Sequence, residues 1–238
     1  LRLAYPKYNV KTTAVNNKPV SITTTDTIKA LQLVTIKGQI EDSRGSKVTS
    51  FNGIVYPTVY DKSSLSYTLA NDAQGAGNTD YSEVRSFKVQ KNVLFKGKVS
   101  VTAGEFNFQF VVPKDIAYNY DYGRISYYAE NGKMDGAGAE ESVVIGSYDP
   151  NAAADNAGPE IKLYLNDEKF VFGGLTNESP IIYSVLSDQH GINTVGNGIG
   201  HDIVAVLDEN TSKSIILNEY YQSELNSYQK GKIRYKLN

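Results

Sequence analysis

His190 and His201 are the only imidazoles in this chain of 238 residues, and each adjoins an acid, in Asp188-Gln189-His190 and His201-Asp202. Neutral imidazole beside carboxylate could supply a metal site or an acid–base pair. The separation of the two histidines matches no short zinc motif, so a hydrogen-bonded loop role is the stronger reading of each. Asp149, Asp155, Asp188 and Asp202 form a second candidate set. Loop carboxylates of this kind can hold Ca²⁺, which takes several oxygen ligands, and a Ca²⁺ near Asp155, Asp188 and Asp202 would stiffen the chain there. Their spacing is not that of an EF-hand loop, and the competing role for each is to cap a turn.

Nucleophilic chemistry finds little to work with. There is no Cys, which removes a cysteine nucleophile, a disulfide and thiolate metal ligation from these residues. Ser, His and Asp all occur, but no Gly-x-Ser-x-Gly elbow presents a serine. The glycines of Gly191-Ile192-Asn193-Thr194-Val195-Gly196-Asn197-Gly198-Ile199-Gly200 lack the strand-to-helix setting in which such a loop binds phosphate. They read as backbone freedom in a long connection between strands. Catalytic residues and cofactors are therefore expected to be absent, Ca²⁺ apart.

Tyrosine is the enriched residue, with 18 copies, and Tyr118-Asn119-Tyr120-Asp121-Tyr122 is its densest cluster. Tyr offers a broad face and a polar tip, so Tyr118, Tyr120 and Tyr122 on a turn could stack on a sugar or meet a protein. The plainer reading is that Tyr is common on half-exposed strands.

The elements that must position these residues are strands. Apolar and polar residues alternate with period two over most of the chain, and helical periodicity is almost absent. With 8 Phe, 20 Gly and 7 Pro beside the tyrosines, the class is all-β. Gly53 to Tyr60 alternates but contains Pro57, which predicts an edge strand or a bulge. Val93 to Val101 and Phe106 to Val112 flank Ala103-Gly104 and predict a long hairpin. Ile125 to Ala129 continues the pattern, and Ser142 to Ile145 is short enough to close a sheet. Asp61 to Ser82 and Met134 to Ala139 show no periodic apolar face and read as loops.

Pro, Gly, Asn and small residues gather between Ser147 and Pro159 and mark a boundary. The expected organisation is a leader over 1–20, whose Tyr8 to Val15 pairs at a sheet edge, and an immunoglobulin-like antiparallel β-sandwich over 21–148. A linker over 149–158 then leads to a second β-sandwich over 159–238. The second has only five or six candidate strands and is expected to be incomplete. Its strands are placed at Ile161 to Leu165, Pro180 to Leu186, His201 to Leu207, Ser214 to Leu217 and Ile233 to Leu237.

Charge narrows the partners. Basic residues number 24 and acidic 26, a net charge of −2, without the basic clusters by which most nucleic-acid binders collect phosphate. No apolar run reaches the roughly 18 residues of a membrane helix. The opening Leu1-Arg2-Leu3-Ala4-Tyr5-Pro6 has neither an initiator Met nor the regions of a signal peptide, and reads as a cut from a longer chain.

Specific words carry more than these statistics. Phe51-Asn52-Gly53, Tyr56-Pro57-Thr58-Val59, Leu94-Phe95-Lys96-Gly97-Lys98 and the run Phe108-Gln109-Phe110-Val111-Val112-Pro113-Lys114-Asp115-Ile116 occur in order in the first half. Ile125-Ser126-Tyr127-Tyr128-Ala129, Asp155-Asn156-Ala157-Gly158-Pro159-Glu160-Ile161 and Gly198-Ile199-Gly200-His201-Asp202-Ile203 follow. This succession resembles the region downstream of the peptidase domain in gingipain-like cysteine peptidases, in particular the sortase, or C-terminal signal peptidase, of the Por (type IX) secretion system. Leu1 to Pro6 is similar to the segment that follows the catalytic domain there.

The resemblance implies an exported chain at the outer-membrane surface. Its partners would be an upstream peptidase domain of the same chain, an outer-membrane barrel protein and secreted cargo whose C-terminal sorting signal the parent enzyme removes. The family's catalytic Cys and His lie upstream, and no catalytic role carries over to His190 or His201. The function expected is a non-catalytic accessory scaffold. The alternative is a carbohydrate-binding or adhesive surface module built on Tyr118 to Tyr122.

Overall fold

The computed structural model describes residues 5–21, 26–71, 83–153, 155, 157–194 and 202–237. The chain opens with strands β1 (Tyr8–Val15), β2 (Lys18–Pro19), β3 (Thr27–Ala30), β4 (Leu33–Glu41), β5 (Gly53–Tyr60), β6 (Ser64–Tyr67) and β7 (Ser86–Val89). It continues with β8 (Val93–Lys96), β9 (Val99–Val101), β10 (Glu105–Val111), β11 (Asp121–Tyr122), β12 (Arg124–Glu130), β13 (Asp135–Glu140) and β14 (Val144–Tyr148). Beyond them lie β15 (Glu160–Leu165), β16 (Ile181–Ser187), β17 (Val204–Ala205), β18 (Ile215–Ile216), β19 (Tyr221–Ser223) and β20 (Lys230–Lys236). The fold is all-β and of sandwich type. Among the described residues the helical elements are two single 3₁₀ turns.

A nine-stranded sheet dominates, in the order β10-β4-β1-β13-β12-β5-β8, with β2 beside β1 and β9 beside β5. Period-two burial fixes its inner face: Val34, Ile36 and Ile40 of β4, Val55 and Val59 of β5, and Ile125 and Ala129 of β12 are fully buried. Burying a Val or Ile side chain contributes about 1.5–3 kcal/mol, so this face is what holds the sheet. The sheet curls until its ends meet. Thr102 and Glu105 form a β-bridge joining the end of β9 to β10, and the Phe95 ring of β8 stacks on Phe110 of β10 at 4.9 Å. A three-stranded sheet, β11-β14-β3, adds Ile28, Ala30 and Ile145 to the same core.

Several strands lie where the sequence does not place them. β1 is interior rather than at an edge, antiparallel to β4 and parallel to β13, so residues of the expected leader are part of the sheet. β14 and β3 are also parallel, and the other ladders among the described residues are antiparallel. The expected loop over Met134 to Ala139 is mostly β13, which pairs with β12 along its length. Its glycines hide it from a hydrophobic-pattern reading: a Cβ on Gly138 would overlap the Val10 carbonyl of β1, so the position stays bare for steric reasons.

Pro57 is not peripheral either, for β5 has β12 on one side and β8 and β9 on the other. Gly97 N–H donates to the Pro57 carbonyl at 3.0 Å. In an antiparallel ladder a residue's N–H and C=O point to the same neighbour, so the missing donor of Pro57 faces the break between β8 and β9. The predicted hairpin about Ala103-Gly104 is reduced to that one bridge, after which β9 pairs with β5 and β10 with β4. Asp61 to Ser82 contains β6, which pairs with β7 beyond it, while the glycines at 75 and 77 lie outside the described residues. The short strand expected at Ser142 to Ile145 is β14, which joins the three-stranded sheet.

The later strands form a four-stranded sheet, β15-β16-β20-β19, and the pair β17-β18. Leu186, Leu217 and Ile233 make a small second core, against which Ile192, Ile203, Ile215 and Tyr221 pack. β19 was not anticipated, and the strand expected over His201 to Leu207 is limited to Val204–Ala205.

Across the first core, Thr12 of β1 and Tyr127 of β12 share a buried hydrogen bond of 2.7 Å between Oγ1 and the phenol oxygen. Burial pushes the Tyr127 phenol well above its ordinary range, so it remains a neutral partner. Replacing Tyr127 by Phe strands the Thr12 hydroxyl and is expected to cost about 1–3 kcal/mol in urea unfolding. The pair Thr12→Val with Tyr127→Phe is expected to recover part of that loss, and strict additivity in the double-mutant cycle would contradict it.

Candidate functional site

The second core meets the first through the turn after β19. Asn226 stands in the left-handed region, φ 60°, which a short amide side chain tolerates better than most. Its N–H donates to the Lys98 carbonyl at 2.8 Å, and its Oδ1 accepts from Ser100 N–H at 2.7 Å. Its Nδ2 donates to Ser100 Oγ at 3.0 Å. One residue thus takes the place of a strand along the side of β9 that β5 leaves open. Two residues on, Tyr228 packs against the first core.

The chain around Asp188 to Asn193 closes over Tyr228. Ile192 N–H donates to the Tyr228 carbonyl at 3.1 Å, and Gln229 Nε2 donates to the Gln189 carbonyl at 2.6 Å. Gly191, at φ +98°, is required here, since a Cβ would sit 2.9 Å from the Tyr228 ring. Between the units lies a cleft of about 450 Å³, within the usual range of ligand cavities. Leu33, Phe95 and Phe110 line it from one side and Ile192, Tyr221 and Tyr228 from the other. Asp149, Asp155, Lys96 and Lys114 add its charged groups, and His190 an imidazole.

The sequence candidates fall at and around this joint. Asp155, Asp188 and His190 have ligand atoms within 4.8 Å of one another. His190 Nδ1 is 3.3 Å from Asp155 Oδ1, and Asp188 Oδ1 accepts from His190 N–H at 2.7 Å. Asp202, the third residue of the calcium expectation, is exposed and is not a member of this group, whose third donor is an imidazole. Two carboxylates and an imidazole suit a transition metal better than Ca²⁺, which takes six to eight oxygens. Asp149 serves a turn, its Oδ1 accepting from Asn151 N–H at 3.0 Å. His201 and the glycines at 196, 198 and 200 lie outside the described residues.

Tyr118, Tyr120 and Tyr122 all stand exposed. Tyr148, which sequence reasoning missed, joins them with its ring centroid 6.0 Å from that of Tyr118. Tyr127 and Tyr128 separate, the first into the core and the second outward, stacked on Tyr56 at 6.3 Å. Asn226 was also missed. Asn-Ser between apolar neighbours signals a turn in the sequence, but not the distant strand it clasps.

Together these features define an all-β, sandwich-type chain of two packed cores with a clasped joint. No protein-family model matches the sequence, and no curated protein does. Among solved structures, the chain is similar over 100% of its length to PorU from Porphyromonas gingivalis, crystallised in a dimeric latent form, at 29% identity and a TM-score of 0.59. It spans 22% of that longer chain. Spo0M, a sporulation control protein from Bacillus subtilis, aligns over 97% of this chain and 90% of its own at 11% identity and a TM-score of 0.31, too slight a likeness to bear on fold or function.

If Asn226 carries the joint, Asn226→Ala leaves Ser100 N–H without its partner. Amide exchange at Ser100 is expected to accelerate by about two- to tenfold, matching the roughly 0.5–1.5 kcal/mol net worth of an ordinary hydrogen bond, while exchange in β4 stays unchanged. Unchanged exchange at Ser100 would assign the joint to Tyr228 alone.

Proposed function

We propose that this chain is the non-catalytic β-region of a surface cysteine peptidase of the type IX secretion sortase kind, and that it acts by positioning. The observation that carries the reading is the PorU likeness, which runs over 100% of the chain at 29% identity. The lack of any Cys agrees with chemistry carried elsewhere in a parent chain. In this reading the divisions are a leader over 1–20, a first sandwich over 21–148, a linker over 149–158 and a second sandwich over 159–238, with β1 of the leader built into the first sheet.

The mechanism is geometric. A joint held by hydrogen bonds to Asn226 and by the Tyr228 ring resists bending, so the second unit keeps a set direction relative to the first. Attached to a peptidase domain at the outer-membrane surface, such a body sets the angle at which secreted cargo and a membrane-barrel partner meet the active site. Removal of C-terminal sorting signals then belongs to the peptidase domain and its orientation to this region.

The test is a titration of the purified chain against a separately expressed peptidase domain of the sortase, with cleavage of a cargo sorting signal followed in parallel. Saturable binding that raises or redirects cleavage is expected. Absence of both binding and any effect on cleavage would leave an independent surface module in its place.

A further inference from the structure

Asp155, Asp188 and His190 come from two separate stretches of chain, the connection after β14 and the turn after β16, yet their ligand atoms converge. Each carboxylate is steadied by its own turn. Asp155 Oδ1 accepts from Ala157 N–H at 3.2 Å, and Asp188 Oδ1 accepts from His190 N–H at 2.7 Å. Among the described residues no donor meets the second oxygen of either carboxylate. The imidazole turns its Nδ1 toward Asp155 Oδ1 at 3.3 Å. His190 also lines both the cleft at the joint and a neighbouring hollow walled by Ala157, Glu160 and Lys230, so the group is open to solvent ions from two sides.

The donor set selects its ligand. Two carboxylates balance the charge of a divalent cation, and with one imidazole they fill three of its four tetrahedral positions, leaving the fourth to water. With bonds of about 2.0–2.1 Å, two donors on a tetrahedral ion stand about 3.3 Å apart. The approach of His190 to Asp155 already has that length, and it exceeds the roughly 2.7–2.9 Å of a charge-assisted hydrogen bond. All three donor atoms lie within 4.8 Å of one another, so the remaining gaps close by rotation of side chains that are exposed or half-buried. The amide bond to Asp188 Oδ1 orients that carboxylate, as outer hydrogen bonds do around metal ligands. Imidazole discriminates among cations. Ca²⁺ takes six to eight oxygens and Mg²⁺ keeps most of its waters, whereas neutral imidazole suits zinc, nickel and copper.

We propose that Asp155, Asp188 and His190 bind one divalent transition-metal ion of the zinc class, through the imidazole Nδ1 and one oxygen of each carboxylate. The ion ties the connection between the two units to the turn whose Gln189 carbonyl and Ile192 amide already hold Gln229 and Tyr228. It is thus a fastening of the joint in addition to the Asn226 clasp. The site is read from donor geometry on this chain alone, so its failure leaves the positioning role untouched, and failure of that role leaves this site standing.

The experiment is calorimetric titration of the full chain, first stripped of metal by a chelator, with Zn²⁺ and in parallel with Ca²⁺ and Mg²⁺. One Zn²⁺ per chain is expected, bound about a hundredfold or more tightly than either of the others. Asp155→Asn and Asp188→Asn keep an oxygen acceptor for the amides of Ala157 and His190, so both are expected to fold and each to weaken Zn²⁺ about tenfold or more. His190→Ala is expected to abolish binding, and His201→Ala, which removes the chain's other imidazole, to leave it unchanged. Zn²⁺ is also expected to raise the melting temperature of the parent and of His201→Ala, but not of His190→Ala. Absence of saturable Zn²⁺ binding overturns the proposal and reduces the approach of His190 to Asp155 to an ion pair. Binding that survives His190→Ala, or that His201→Ala removes, overturns it as well. Ca²⁺ binding as tight as that of Zn²⁺ does the same, since it would assign the site to oxygen ligands alone.

Discussion

The closeness of β1 to β13 is the constraint on which the first unit rests. Val10 runs where the side chain of residue 138 would be, and only glycine there lets a parallel strand lie in the middle of the sheet. With β1 seated, β4 and then β10 extend the sheet on one side, and β12, β5 and β8 extend it on the other. A sheet of this breadth has enough twist to bring its ends together over one core, which is what the contact between Phe95 and Phe110 records. Remove β1 and β4 loses the neighbour that joins it to β13 and, through β13, to β12.

Closure also decides what is left open. β9 is short, paired to β5 along one side and bridged to β10 only at Thr102. Its other backbone groups need partners, because unpaired strand edges are costly and reactive toward other chains. Asn226 supplies them by combining a backbone N–H with a side chain that both accepts and donates. The joint between the two cores is thus a by-product of completing the sheet. The cleft and the cluster of Asp155, Asp188 and His190 then lie where the loops of the second unit pass over Tyr228.

The alternation of Phe106, Phe108 and Phe110, or of Ile125, Tyr127 and Ala129, made the class and many of the core residues legible, since one face of each strand is buried and its period is two. β13 was hidden because its residues are chosen for thinness, not hydrophobicity, and a pattern of apolar residues cannot register a strand selected for the absence of side chains. Pro57 misled for a related reason. Proline argues against an interior strand only when its nitrogen faces an unbroken neighbour, and the break between β8 and β9 is invisible from one strand's sequence. The candidate site divides similarly: Tyr118, Tyr120 and Tyr122 were legible because they are close in sequence, whereas Tyr148 joins them only through the ladder of β14. Asp155 and Asp188 come together with His190, and not with Asp202, because the turn after β16 brings that imidazole round to the linker.

The clasp on β9 bears on colloidal behaviour as well as on shape. A strand edge stoppered by one side chain is shielded only while the two halves of the molecule stay docked. When they part, the carbonyl of Lys98 and the amide of Ser100 become a template to which another copy's extended chain can anneal. Loosening of the hinge and the onset of self-association are then one event, and solubility in this chain is a property of the docked pair rather than of either half.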